Sequence, residues 1–240
     1  MKIKELLAAG TKELGLELTS KQIDAFMNYL DILQEWNQKM NLTAIDDSEE
    51  IVIKHFLDSL SSVSVMDLAG DEKMIDLGTG AGFPGIPLKI FYPKLDLTLL
   101  DSTKKKITFL KNLVRELNLK GIEFIHGRAE DYGQKSKYRG SYDVVIARAV
   151  APLNILSEYA IPFLKPTGSF LAQKGAKVKE EVIEATRAIE VLGAEIYDVV
   201  SIDLPYSDAK RNLVIIDKVR ETPLEYPRKA GTPNKEPISN

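Results

Sequence analysis

Apolar residues follow a helical period through the first part of the chain. Thr19 and Gln22 form a capping box that predicts a helix start, and the apolar face that follows ends near Asn41. A second helix start is predicted at Asp47, again ahead of a periodic apolar stripe. We therefore expect residues 1–66 to form a helical extension that packs these apolar faces on the rest of the chain.

From Lys73 onward, short apolar strands alternate with helical patterns, which predicts a mostly parallel α/β sheet of the Rossmann-like kind over residues 67–220. The predicted strands are Met74–Leu77, Leu95–Asp101, Ile122–His126, Tyr142–Ala147, Ser169–Gln173, Ala194–Asp203 and Arg211–Val219. A turn at Pro166–Gly168 is expected just before the fifth strand. The last two strands are joined by a short connection, which predicts an antiparallel pair at one edge of the sheet.

The glycine-rich stretch after the first strand is the candidate ligand site. Gly78, Gly80 and Gly82 alternate, which lets the backbone turn sharply and lets a ligand lie directly against it. The range Gly80–Gly85 formally matches the dinucleotide-binding pattern G-x-G-x-x-G. Asp76, two positions before the first glycine, suits instead the cationic sulfonium and amino groups of S-adenosylmethionine. The glycine spacing alone leaves both ligands open.

Further candidate residues stand where the predicted strands end, the edge at which open α/β sheets bind ligands. Asp101 and Ser102 end the second strand, and a carboxylate there can accept the ribose hydroxyls of either ligand. Ala129 and Glu130 follow the third strand and are placed to flank an adenine. Arg148 stands where the fourth strand meets the pocket, and a structural ion pair is an equal alternative to a role in orienting substrate or cofactor.

Composition narrows the class of protein. The 240 residues are 44% hydrophobic and 28% charged, as in an ordinary globular protein. No apolar run approaches the roughly 18 residues that a membrane span needs. The chain has no cysteine, which excludes disulfides, zinc fingers and thiol nucleophiles, and we expect no metal site and a cytoplasmic location. The formal net charge of −3 means that any nucleic-acid binding must use local basic patches.

Two such patches are present. A lysine run opens the helix after the second strand, which is the unfavourable end for the helix dipole and a place where phosphates could bind. Residues 221–240 hold four of the eleven prolines, so we expect neither a helix nor an inner strand there. This basic arm is either a disordered tail or an RNA contact. The candidate RNA-binding residues are Lys104, Lys105, Arg228, Lys229 and Lys235.

A set of motifs runs in order along nearly the whole chain. They are Trp36–Asn37, Asn41–Thr43, Lys54–Ser59, Asp76–Leu88, Gly127–Glu130, Ala147–Val150 and Pro227–Pro233. Together they resemble the bacterial small-subunit ribosomal RNA guanine-N7 methyltransferase G family, also called glucose-inhibited division protein B. The glycine motif alone would indicate only the wider methyltransferase class.

The resemblance implies a class I S-adenosylmethionine-dependent methyltransferase domain behind an N-terminal helical extension. It implies methylation of N7 of one guanine in 16S rRNA, with the 30S subunit as partner and no DNA or membrane association, and we expect a monomer. The implied cofactor contacts are Gly78, Phe83, Ala129, Glu130 and Arg148. Methylation of C5 of a pyrimidine usually needs a cysteine, which is lacking here. Guanine N7 carries a lone pair and no proton, so we expect no general base and an orienting role for Arg148.

Two other functions remain open at this stage. An NAD-dependent oxidoreductase would use the dinucleotide pattern, but there is no second catalytic domain. The chain has only two histidines, His55 and His126, and neither has an evident acid–base setting. A non-catalytic RNA-binding or ribosome-assembly protein with a vestigial cofactor pocket is the second alternative.

Overall fold

A single mixed sheet forms the centre of the molecule, in a computed structural model that describes residues 2–66, 68–208 and 210–239. Within those ranges seven strands pair in the order β3-β2-β1-β4-β5-β7-β6. The strands are β1 (Lys73–Leu77), β2 (Asp96–Asp101), β3 (Ile122–His126), β4 (Tyr142–Arg148), β5 (Leu164–Lys174), β6 (Ala194–Asp203) and β7 (Lys210–Lys218). Strand β7 is antiparallel to both of its neighbours, and the remaining pairs are parallel.

Helices cover both faces of this sheet. The α-helices are α1 (Ile3–Glu13), α2 (Ser20–Met40), α3 (Ser48–Ile51), α4 (Asp58–Leu60), α5 (Gly85–Phe91), α6 (Lys104–Glu116), α7 (Ala129–Gly133), α8 (Leu153–Ala160), α9 (Val178–Val191) and α10 (Thr232–Lys235). A π-helical turn spans Val52–Leu57, and 3-10 turns span Ser61–Val65 and Ile161–Phe163. Within the described ranges, none of these helices is both long and apolar enough to cross a membrane.

The strand pattern of the sequence is confirmed, including the antiparallel pair β6–β7 at the edge. The fifth strand differs from its prediction. It begins at Leu164 rather than Ser169 and continues through the expected turn. Its pairing with β4 shifts register at this point, and Thr167 adopts a left-handed conformation with φ of 69°. The turn is therefore an irregularity inside β5, because the strand pairs with β4 on both sides of it.

The first long helix begins and ends where its capping residues predict. The Gln22 amide N–H donates to the Thr19 hydroxyl, while the Gln22 side chain accepts from the Thr19 N–H. Asn41 ends the helix in the left-handed conformation. The Gln22 side-chain amide also donates to the carbonyls of Ile90 and Phe91 at the end of α5. Gln22, which takes part in capping the start of α2, thus also attaches this helix to the sheet domain.

The extension and the sheet domain share one apolar core. Tyr29 and Phe56 of the extension pack around Phe83, with ring centroids 5.3 and 6.0 Å from it. Trp36 meets Phe109 of α6 edge-on. Because the buried face of α2 is completed by residues of α5 and α6, the helical extension is part of the main hydrophobic core.

The second predicted helix start is confirmed at Asp47, whose side chain accepts from the Glu50 N–H. The helix that follows is irregular, because it passes through the π-helical turn at Val52–Leu57 and ends in a 3-10 turn. Turns of this type are frequent at functional sites. Here the π-helical turn carries His55 and leads directly to Asp58, and both residues line the cleft described below.

The expectation that the C-terminal segment lacks helix is wrong. Gly231 has φ of 87° and leads into the short helix α10, in which Pro233 occupies the first turn. Proline is tolerated at that position because the N–H it lacks has no helical partner there. The arm also packs back on the domain, since the Arg139 guanidinium donates to the carbonyls of Thr222 and Tyr226. It is an ordered part of the fold.

Candidate functional site

The glycine turn after β1 has the backbone geometry that its spacing predicts. Gly78, Gly80 and Gly82 have φ of 69°, 60° and 101°, conformations that favour glycine. A Cβ on Gly78 would lie 2.6 Å from the Cγ2 atom of Val150. A Cβ on Gly82 would lie 2.7 Å from the Tyr29 hydroxyl. Gly78 and Gly82 therefore have no room for a Cβ, and the turn contacts the loop after β4 at Val150.

Asp76 lies beneath this turn and is fully buried, at 0% exposure. The Gly85 N–H donates to Asp76 Oδ2 at 2.9 Å. Asp76 Oδ1 and the Thr79 hydroxyl have no hydrogen bond of regular geometry to any described residue. Burial raises the pKa of Asp76 to about 6, although the Thr79 hydroxyl, the Gly85 N–H and the Arg148 charge each favour the ionised form. A cationic ligand above the turn would compensate the charge of this buried carboxylate.

Asp101 orders the other side of the turn. The Gly80 N–H donates to its Oδ2 at 3.0 Å, and the Thr103 N–H donates to its Oδ1 at 2.8 Å. Lys106 Nζ lies 3.5 Å from Oδ2. The carboxylate predicted to accept ribose hydroxyls is therefore already committed to two backbone groups, and only its remaining lone pairs can reach a ligand.

A small cavity of about 140 Å³ opens at the ends of β1, β2 and β3. Four predicted cofactor residues meet around it, namely Gly78, Ser102, Ala129 and Glu130. Asp76, Asp101, Gly80, Gly82 and Phe83 do not line it. At about 140 Å³ the cavity is smaller than an ordinary ligand pocket, which usually measures about 300–1,000 Å³. It is narrowed by Val150, which is 39% exposed and lies over Gly78.

Arg148 lies across the loop after β4 from the small cavity and belongs to an ion-pair cluster. Its guanidinium donates to Asp58 Oδ2 at 2.5 Å and lies 5.2 Å from the centre of the Phe83 ring. Arg211 Nε donates to the other oxygen of Asp58, also at 2.5 Å. The structural ion pair considered for Arg148 is thus present. Asp58 and Arg211 were not predicted as site residues, because they are separated by 153 positions along the chain.

Beside this cluster lies a second and larger cleft of about 650 Å³. Its polar lining includes Asp58, Arg148, Gln173 and Arg211, and Val150 borders both this cleft and the small cavity. His55 also lines the cleft, with its Nε2 atom 2.8 Å from the Thr43 hydroxyl and its ring stacked on Phe83. Burial and the nearby arginine lower the pKa of His55 to about 4, so the ring is neutral at pH 7.

A comparison with known proteins shows to which family the chain belongs. The sequence model described as GidB, rRNA small subunit methyltransferase G, matches residues 22–214. The chain belongs to this family. The protein named Ribosomal RNA small subunit methyltransferase G from Alkaliphilus oremlandii (strain OhILAs) is 52% identical over 238 residues, covering 99% of this chain and 100% of its own. Its namesake from Thermoanaerobacter sp. (strain X514) is 53% identical over 234 residues, covering 98% of each chain.

The fold of the chain agrees with that of solved structures. A SAM-dependent methyltransferase from Aquifex aeolicus superimposes with a TM-score of 0.55 at 18% sequence identity, covering 73% of this chain and 96% of its own. The predicted class I methyltransferase fold is therefore confirmed. The antiparallel β7, inserted between β5 and β6, also distinguishes this sheet from the dinucleotide-binding order 3-2-1-4-5-6.

The basic residues predicted to bind RNA differ in whether they are exposed or already paired within the protein. Arg228 is bound to the buried carboxylate of Glu158 through two side-chain nitrogens, at 3.0 and 2.6 Å, so it is not a free cation. Lys104, Lys229 and Lys235 are exposed. Lys105 is exposed as well and donates to the carbonyl at the end of α2.

The C-terminal arm also reaches the small cavity. The Gly231 N–H donates to Glu130 Oε1 at 2.9 Å, so the Glu130 side chain is bound to the arm. Arg228 binds Glu158 of α8 in the same region. The arm thus supports the cavity wall at Glu130. The sequence predicted the arm and the cofactor cavity as separate sites and did not indicate this connection between them.

Proposed function

We propose that this chain transfers the methyl group of S-adenosylmethionine to N7 of a guanine in the 16S rRNA of the small ribosomal subunit. The observation that carries the proposal is its family membership, with relatives about half identical along the whole chain that are named for this activity. The glycine turn, the two strand-end acids and the adjoining cleft supply the parts that such a reaction needs. The proposed partner is the 30S subunit, met by a cytoplasmic monomer.

The residues around the small cavity fit a methyl-donating cofactor. Gly78 lines the cavity without a side chain, and the buried Oδ1 of Asp76, which has no regular hydrogen bond to a described residue, supplies negative potential beneath the turn. When bound, S-adenosylmethionine supplies a methyl group on a cationic sulfur. In our proposal Ser102 and Ala129 hold the adenosine end, while Asp101 positions the turn and offers its remaining lone pairs to the ribose.

The chain's own part in the reaction is positioning. Because N7 of guanine has a lone pair and no proton, no side chain needs to remove one, and the neutral His55 is not required as a base. Orientation of reacting groups can supply roughly 7–11 kcal/mol of the barrier reduction. We assign Arg148, fixed by Asp58 above the Phe83 ring, to orienting the base or the cofactor.

We also propose a role for each of the three segments of the chain. Residues 1–66 form a wall of the substrate cleft, residues 67–220 bind cofactor, and residues 221–240 support the cofactor cavity through Glu130. Lys104, Lys105, Lys229 and Lys235 are left to contact RNA phosphates. Arg228 is assigned to holding the arm in place rather than to RNA.

The test is methyl transfer itself. The protein is incubated with labelled S-adenosylmethionine and 30S subunits, and the modified base is mapped by chemical cleavage at 7-methylguanine. One guanine of 16S rRNA should carry the label. Calorimetry with S-adenosylhomocysteine and with NAD runs in parallel, and tight binding of NAD alone would favour the oxidoreductase. Binding of 30S subunits without any transfer would favour the assembly protein.

A further inference from the structure

The cleft beside Arg148 is not explained by cofactor binding. It lies across Val150 from the small cavity, at the carboxyl ends of β4 and β5, where the sheet binds ligands. Asp58 of the extension forms one wall, and Gln173 and Arg211 on neighbouring strands form another. Two hydrogen-bonding groups in this cleft have no partner among the residues that the structure describes.

Gln173 carries the first unused group. Its side chain is only 4% exposed, and its Nε2 donates to the Asp58 carbonyl at 2.9 Å. This bond fixes the orientation of the amide, because the reversed amide would place two oxygens against each other. The Oε1 atom is then buried without a hydrogen-bond partner among residues 2–66, 68–208 and 210–239. A buried acceptor left unpaired is costly, which points to a donor that comes from a bound molecule.

Arg211 carries the second. Its Nε donates to Asp58 Oδ1, and the side chain is 26% exposed. No hydrogen bond or ion pair to a described residue uses its two terminal nitrogens. Strands β5 and β7 pair antiparallel with Gln173 opposite Leu213, so Gln173 and Arg211 lie on adjacent strands at the same end of the sheet. The cleft thus offers a free donor edge close to a free acceptor.

The other charged groups of the cleft are already committed. Asp58 uses both carboxylate oxygens on the two arginines. Lys174 is bound to Glu181 and to the Ala151 carbonyl. Lys54 pairs with a carboxylate one helical turn away. Selectivity in this cleft therefore depends on the two groups that remain free.

We propose that Gln173 and Arg211 are the pair that selects guanine, a role that rests on the proposed function. Arg211 donates to O6 of the base, and Gln173 Oε1 accepts the N1 proton. Adenine presents the opposite pattern, with an amino group at C6 and an acceptor at N1, and loses both bonds. These contacts hold the Watson–Crick edge of an extruded base, as other enzymes that modify bases do. They leave N7, on the Hoogsteen edge of the base, open to the methyl donor.

The experiment compares two bases at the target position. Subunits are reassembled with 16S rRNA in which the target guanine is replaced by 2,6-diaminopurine, which keeps N7 but has an amino group at C6 and no N1 proton. Since one such hydrogen bond is worth about tenfold, the unmodified enzyme should prefer guanine by about 100-fold in kcat/KM. Gln173→Leu and Arg211→Lys should each lose about tenfold on guanine and almost nothing on diaminopurine. Each variant's preference should thus fall to about tenfold.

The controls separate this role from a structural one. Arg187→Lys changes an exposed arginine of α9 outside the cleft and should leave both rates unchanged. Melting temperature and affinity for S-adenosylhomocysteine are measured for every variant, and Gln173→Met replaces Gln173→Leu if the latter unfolds. Equal losses on the two bases would overturn the proposal, because a distorted cleft would slow both. If the unmodified enzyme methylates no guanine in 30S subunits, the proposed function is wrong and this role falls with it.

Discussion

Replacing Asp76 with asparagine should make the protein more stable at neutral pH and a weaker binder of its cofactor. The carboxylate is buried, and the Gly85 N–H is its single regular hydrogen-bond donor among the described residues. Asparagine keeps an oxygen to accept from Gly85 and turns an NH2 group towards the Thr79 hydroxyl. It therefore removes a buried charge without creating a cavity.

The size of the effect follows from the pKa of this carboxyl. The rise from 3.8 to about 6 in the folded protein corresponds to at most about 3 kcal/mol of unfolding free energy. The folded state holds the proton more tightly, so stability is highest below pH 3.8, falls as pH rises to about 6, and stays lower above that. Asparagine does not titrate. The advantage of Asp76→Asn over the unmodified protein should therefore be near zero at the acid end and largest at pH 7.

Urea denaturation between pH 4 and pH 8 measures this difference, and calorimetry gives the affinities. Asp76→Asn should weaken S-adenosylmethionine about tenfold and S-adenosylhomocysteine less, since only the former carries the sulfonium charge. Asp101→Asn is the matched control. Its carboxylate is satisfied by the Gly80 and Thr103 N–H groups, so its loss should destabilise by about 1 kcal/mol. An Asp76→Asn protein less stable than the unmodified one at pH 7 would refute the argument from burial.

Three further substitutions test the surroundings of the turn. Gly78→Ala forces a left-handed alanine against Val150, and we expect a loss of about 1–3 kcal/mol in urea denaturation and of cofactor binding in calorimetry. Tyr29→Phe removes a hydrogen bond from α2 to the turn and should lower the free energy of unfolding by about 1–2 kcal/mol. An unchanged free energy of unfolding would show that this bond does not stabilise the fold. Arg228→Ala removes the guanidinium from the buried Glu158 carboxylate and leaves it the backbone N–H of residue 228, so stability should fall by about 2 kcal/mol, whereas a change confined to RNA affinity would restore the RNA-contact role.

Features that depend on neighbouring residues were predictable. The cap formed by Thr19 and Gln22 lies within a single turn, and the left-handed glycines of the turn follow from alternation over five positions. Both are local steric and hydrogen-bonding effects, so the sequence pattern contains what determines them. The strand ends of the sheet, which assemble Gly78, Ser102 and Ala129 around one cavity, follow from the rule that parallel strands end at the same edge.

Features that depend on distant partners were not predictable. Arg148 and Asp58 are 90 positions apart, and Arg228 and Glu158 are 70 apart, so no periodicity relates them. Composition also misled at the C-terminus. Proline and lysine content predicted an irregular arm, but buried carboxylates elsewhere in the fold bind that arm and order it.

The loop after β4 connects the two proposed binding sites. Ala149 holds a left-handed conformation with φ of 55°, which is unusual for a residue with a side chain. Lys174 fixes the loop by donating to the Ala151 carbonyl, and Glu181 accepts from the N–H that opens α8. Val150 is thereby held between the cofactor cavity and the cleft. Since Lys174 directly follows Gln173, the residue proposed to select guanine and the residue that holds the dividing loop belong to the same strand end. In our proposal, a base bound at Gln173 would therefore lie next to the residue that holds the wall of the cofactor site.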